Sequence, residues 1–254
     1  MSKALSKIDT FKSEISSTEV QKLFVNSMKE NSSSFIATII DIYSSDSNMQ
    51  ECSPQLVINE ALKAASLKLP LSKGLGFGYL VAYKGKPQFQ IGYRGFIQLA
   101  IRSGEYITIN ADAVYEGEIS SQDKLRGIFE FNGVRKSDKV IGYFAHIELK
   151  NGFTKTLFMT KEKIMLHAKK YSKTFDSSYS PWKTSADEMG IKTVLKNILN
   201  HYGTLSVDMA AAFESDRDDE IQDNANTIDI SFTESEAPTQ SPTQAPTPKN
   251  TPAF

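Results

Sequence analysis

The chain has 254 residues, of which 40% are hydrophobic and 23% charged, with one cysteine, one tryptophan and three histidines. That is ordinary globular composition. The lone Cys52 excludes a disulfide framework and a thiolate metal cage, and no run of 18 apolar residues is present to span a membrane. The net charge of −1 hides a segregation: residues 60–203 carry +9, residues 204–254 carry −8 and residues 1–59 carry −2. A basic body with an acidic tail is expected to meet a polyanion, with nucleic acid the leading candidate. The opening MSKALSKIDTFKSE lacks the apolar stretch of a signal peptide, so a cytoplasmic protein is expected.

Residues 1–17 read as a flexible N-terminal segment. Residues 18–30 predict a helix with Val20, Leu23, Phe24 and Met28 on one face and Thr18 as its cap. A second helix fits 33–44. A third starts at Ser53-Pro54, a cap followed by proline at the first helical position, and runs to about Leu67. Alternation at Tyr79, Val81 and Tyr83 marks a strand. Lys84-Gly85-Lys86-Pro87 is a turn with two cations at its tip. The returning strand, Gln88 to Ile91, places both amides, Gln88 and Gln90, on one face. Tyr93 to Arg102 is a helix ended by Gly104. Along it Arg94, Gln98 and Arg102 share one polar stripe.

Residues 106–115, 127–131, 139–149 and 154–160 predict strands, with Lys150-Asn151-Gly152 as a hairpin turn. Helices at about 161–171 and 185–200 close the body. Lys192 and Lys196 lie one turn apart on the last of these. The fold class is therefore α+β, a small antiparallel sheet with flanking helices. The folded domain spans 18–213. Residues 214–254, with the acidic run ESDRDDEIQD and the Pro/Thr/Gln repeat APTQSPTQAPTP, read as a disordered tail. Within that tail TIDISF (227–232) is a short alternating apolar run.

Several motifs invite enzymatic readings. Gly74-Leu75-Gly76-Phe77-Gly78 has a helix before it and a strand after it, the reverse of a dinucleotide site. No GxxxxGK[ST] phosphate loop exists, which argues against ATP-driven chemistry. The histidines 146, 167 and 201 lack metal-ligand spacing. Asp138, Glu148 and Lys150 have the D-x9-E-x-K spacing of metal-dependent nucleases, in which a carboxylate pair holds Mg²⁺ and the lysine assists the phosphate. This is the enzymatic alternative, and a simple single-strand-binding module is another. Trp182 after Pro181 reads as a packing anchor.

The stretches AYKGKPQFQIGYRGFIQLAIRSGEYITINADAVYEGE (82–118), VIGYFAHIELKNGFTKTLFMTKEKI (140–164) and SPWKTSADEMGIKTVLKNILNHYG (180–203) together resemble the RecT family of phage single-strand annealing proteins, over roughly 20–213. The resemblance implies a non-enzymatic, ATP-independent protein of phage homologous recombination, encoded by a phage or prophage. Its fold is likened to the core of the eukaryotic annealing protein Rad52. It implies binding of single-stranded DNA and of the annealed duplex, in a basic groove of a homo-oligomeric ring or helical filament. The implied partners are a 5′→3′ exonuclease and the host single-strand-binding protein. No cofactor is implied, and Mg²⁺ is expected to act by charge screening without a dedicated site. Carried onto this chain, Lys84, Lys86, Arg94, Arg102, Lys192 and Lys196 are the expected groove residues, with Gln88, Gln90 and Tyr93 beside them. Residues 119–137, with Lys124, Arg126, Arg135 and Lys136, depart most from the family pattern.

Overall fold

The computed structural model describes residues 6–217, apart from 73, 132, 173, 179 and 205, with side chains as far as residue 214. The acidic and proline-rich stretches from 218 onward, TIDISF included, lie outside the described residues. The first layer is helical: α1 (Lys7–Ile15), α2 (Thr18–Met28), α3 (Ser32–Ser45), the short α4 (Ser47–Gln50) and α5 (Pro54–Ser66). α5 forms as its Ser53-Pro54 start predicts, and it buries Val57, Ile58, Ala61, Ala64 and Ala65 along one stripe. α2 begins one residue earlier than expected, with Ser17 in the cap position and Thr18 as the first helical residue.

The expected flexible segment 1–17 is corrected by α1. Ser6 Oγ accepts the Asp9 N–H at 3.1 Å to cap it. Phe11 and Ile15 are fully buried, and the Phe11 ring stacks on Tyr43 with centroids 3.9 Å apart. Two spaced apolar residues suffice because α3 supplies the partner ring.

Among the described residues the strands fall into three antiparallel sheets. β1 (Gly78–Tyr83) pairs with β2 (Lys86–Ile91), and their inner face packs on α5. α6 (Tyr93–Ser103) follows, ended by Gly104 in the left-handed conformation. β3 (Tyr106–Tyr115), β6 (Val140–Leu149) and β7 (Thr154–Thr160) form a three-stranded sheet with β6 in the centre. Between β3 and β6 in sequence, β4 (Ile119–Asp123) and β5 (Ile128–Phe131) form a separate hairpin. β4 was not legible, because ISSQD has no strand signature until β5 pairs with it.

The sheet's inner face, with Tyr143, Ala145 and Ile147 buried, is covered by α9 (Ala186–Tyr202). The Tyr143 hydroxyl donates to Asp187 Oδ1 at 2.7 Å, pinning the first turn of α9 to the sheet. α7 (Lys161–Tyr171) starts where Thr160 Oγ1 accepts the Lys163 N–H at 3.3 Å. α8 (Pro181–Thr184) carries Trp182, which is buried in the core as the packing reading expects. α10 (Val207–Arg217) returns over α6 and β2, with Met209 and Ala212 buried and Phe213 stacked on Phe96 at 5.3 Å. The helical backbone therefore runs past 213, the expected domain end, as far as Arg217. Among the described residues no helix is long and apolar enough to cross a membrane.

Candidate nucleic-acid interface

The β1–β2 hairpin turns on two residues, Lys84 (φ 48°) and Gly85 (φ 77°). Both central residues at positive φ give the tight turn whose twist matches the strands. Lys84 and Lys86 are exposed at the tip, as expected. The register Tyr79↔Gln90, Val81↔Gln88 and Tyr83↔Lys86 puts these six residues on one face. The Gln90 amide donates to the Tyr83 hydroxyl at 3.3 Å across that face. The opposite face holds the buried Leu80, Phe89 and Ile91. Alternation thus produces an amphipathic hairpin: a greasy side on α5, and an outer side of tyrosines, amides and a lysine.

Two glycines bring α6 against this hairpin. A Cβ on Gly92 would collide with the carbonyl oxygen of Gly76, and one on Gly95 with that of Phe77. The Gly92 N–H donates to Phe77 O at 3.0 Å. Backbone contact of this kind sets Tyr93 and Arg94 directly beside Tyr79. Arg94 Nε donates to the Tyr93 hydroxyl at 3.2 Å, and its guanidinium lies 5.8 Å from that ring. The hydrogen bond to Tyr93 holds the Arg94 guanidinium above its ordinary range, with the charge of Glu188 adding to it. Burial, with Glu188 behind it, pushes the Tyr79 phenol up. Both effects keep a cation and a neutral hydroxyl side by side. Glu188, in the first turn of α9, is the carboxylate that the sequence reading missed at this surface.

Lys192 and Lys196 follow Glu188 at i+4 and i+8 on α9, and both are half-buried. Arg102 behaves differently from Arg94. Its guanidinium donates to Leu67 O at 2.6 Å and lies 3.6 Å from the Asp208 carboxylate. It ties α6 to the end of α5 and to α10. One sequence signal marks the surface more sharply than net charge does: residues 61–104 carry seven lysines and arginines and no carboxylate.

The nuclease alternative does not assemble. β6 separates Asp138 from Glu148, roughly 30 Å at about 3.3 Å per residue. Asp138 pairs with Arg135 at 2.7 Å, and Glu148 accepts from the Thr108 hydroxyl at 3.3 Å. Among the described residues no cluster of three His, Cys, Asp or Glu could hold a metal ion.

The model of the RecT family matches residues 33–229. The chain belongs to the RecT family. It is 42% identical over 224 residues to the uncharacterized protein YqaK of Bacillus subtilis (strain 168), covering 87% of this chain and 78% of that one. It is 29% identical over 182 residues to protein RecT of Escherichia coli (strain K12), covering 65% of this chain and 64% of that one. RecT-family proteins are recombination and single-strand annealing proteins that bind DNA and oligomerise. In this RecT-family chain the matched span contains the whole hairpin–α6 surface and both lysines of α9.

Proposed function

We propose that the chain is an ATP-independent annealing protein of phage homologous recombination. It binds single-stranded DNA, and then the annealed duplex, along a basic groove of an oligomeric filament. The observation that carries this reading is the outer face of the β1–β2 hairpin with the start of α6. Tyrosines, amides and cations lie together there, in a chain of this family. Lys84, Lys86 and Arg94 neutralise phosphates and release counterions. Gln88, Gln90, Tyr79 and Tyr93 offer hydrogen bonds and stacking faces that do not depend on sequence. Lys192 and Lys196 extend the track along α9, and Arg102 supports it from behind.

Annealing needs no covalent catalyst. Stacking supplies about 1.4 kcal/mol per base-pair step once two strands meet. The obstacle is the mutual repulsion of two polyanions, which a cationic groove removes. One subunit covers few nucleotides, so long tracts require head-to-tail assembly that does not close. A 5′→3′ exonuclease that exposes strands and the host single-strand-binding protein are the partners this reading calls for. Mg²⁺ acts by screening.

The test is the pairing rate of two complementary oligonucleotides without ATP, at low and moderate salt. Light scattering is followed as the strands are added in turn. Faster pairing together with large particles supports the reading. A pairing rate equal to the spontaneous one overturns it.

A further inference from the structure

A concave surface lies outside the hairpin site. A cleft of about 790 Å³ opens between the end of α2, the start of α3 and the segment after α5. That is ample for a nucleotide-sized ligand. Its lining mixes hydroxyls and an amide, from Ser34, Thr38, Ser72 and Asn31, with apolar side chains, of which Phe35 and Leu71 are buried beneath the surface and Leu75 is 46% exposed at one edge. Its rim carries Lys29 and Lys68, and Glu30 is the one carboxylate among the lining residues.

Both lysines occupy backbone that lysine rarely adopts. Lys29 ends α2 with φ 50° and ψ −123°. Lys68 follows α5 with φ 53°. There the Lys68 N–H donates to Ala65 O at 2.9 Å and the Leu69 N–H to Ala64 O at 3.0 Å. This is the helix ending at which glycine usually sits. Glycine would satisfy either backbone without strain, so what lysine adds is its side chain. Neither lysine takes part in an ion pair among the described residues. Cations favour helix C-termini through the dipole, but that preference does not require the left-handed position itself.

The cleft also adjoins the hairpin surface. Leu75 lines the cleft, and a Cβ on the next residue, Gly76, would lie 3.5 Å from Arg94 Cδ and 3.3 Å from the Tyr79 hydroxyl. One residue of glycine-rich loop thus separates Arg94 from the edge of the cleft.

We propose that this cleft is a further binding site for single-stranded DNA. It takes one nucleotide, with its base against the exposed Leu75 side chain and the hydroxyl and amide groups of the lining, and its flanking phosphates on Lys29 and Lys68. The inference rests on the annealing reading above and adds a distinction between strand states. A base lodged in the cleft is withheld from pairing, so the cleft holds the single strand and lets go when the duplex forms.

The test uses the full chain and its Lys29→Gly and Lys68→Gly variants, with fluorescent oligo(dT) and with an annealed pair formed by adding complementary strands in turn. For each variant the affinity for oligo(dT) falls several-fold, and the salt slope drops by about 0.7. The melting temperature does not fall, because glycine relieves the left-handed backbone. Retention of the annealed pair stays the same. In a Leu75→Trp variant, oligo(dT) quenches the added fluorescence. Unchanged oligo(dT) affinity and slope overturn the site, as does equal weakening on single strand and annealed pair or an unquenched Trp variant. If the unsubstituted chain itself fails to bind oligo(dT), the annealing reading falls first and the cleft falls with it.

Discussion

The β1–β2 and β4–β5 hairpins are both two-stranded and antiparallel, yet they are held in opposite ways. The first buries Leu80, Phe89 and Ile91 on one face, and Glu60 Oε2 accepts the Phe89 N–H at 2.8 Å on its open edge. The second has no buried residue. It rests on two ring contacts, Phe129 on Phe158 at 5.5 Å and Phe131 on Phe144 at 5.1 Å, and its tip residue Leu125 is 94% exposed. Its charges are mixed, with Arg126 3.8 Å from Asp123. A hairpin can hold polar side chains in fixed positions only when its other face is anchored. The first hairpin meets that condition, and the second follows the surface on which it lies.

That contrast is open to direct attack. The largest expected effect is from Phe89→Ala, which should cost about 3–5 kcal/mol in denaturant unfolding as a buried ring is lost. Phe129→Ala should cost about 1 kcal/mol, the worth of a ring pair at a half-covered site. Equal costs would break the comparison. Gly92→Ala comes next, at about 1–3 kcal/mol, because its Cβ meets backbone and not a movable side chain. It should also weaken DNA binding by displacing Arg94.

The three-stranded sheet supplies a control that leaves both hairpins intact. Tyr143→Phe removes the hydrogen bond to Asp187 and should cost about 1 kcal/mol at neutral pH. Burial, and then Asp187, raise the Tyr143 phenol above its ordinary value near 10. A raised folded value means that the stabilisation is fully present below about pH 10 and is lost as pH rises beyond it. Alkaline unfolding curves should therefore be flatter for the Phe variant. The smallest effect on stability, within about 0.5 kcal/mol, belongs to Arg94→Ala and Arg126→Ala. Binding separates them. The Arg94 change should lower the salt slope by about 0.7, whereas Arg126→Ala should leave it unmoved.

Much of the architecture is legible in the sequence. The limits 161–171, 106–115 and 154–160 coincide with α7, β3 and β7, since each carries a strong period and a clear start or stop. α1, α10 and β4 were missed because each depends on a partner outside its own segment. α1 needs Tyr43, α10 needs Phe96, and β4 needs β5. At the site, alternation put Gln88 and Gln90 on one face, and a turn at Lys84-Gly85-Lys86-Pro87 was legible from its residue types, although β2 already begins at Lys86. What could not be read was the difference between Arg94 and Arg102, two turns apart on one stripe. Only the arrival of Leu67 O and Asp208 tells them apart. Glu188 was equally hidden, because nothing local connects the first turn of α9 with Tyr79.

The fastening at Arg102 gives α6 a mechanical character. Its first turn presents Arg94, and its last is moored to α5 and α10, so the helix is a stiff rod roughly 16 Å long at about 1.5 Å per residue. Arg102 thus fixes the end of α6 opposite to the one that carries Arg94, through Leu67 O and the Asp208 carboxylate.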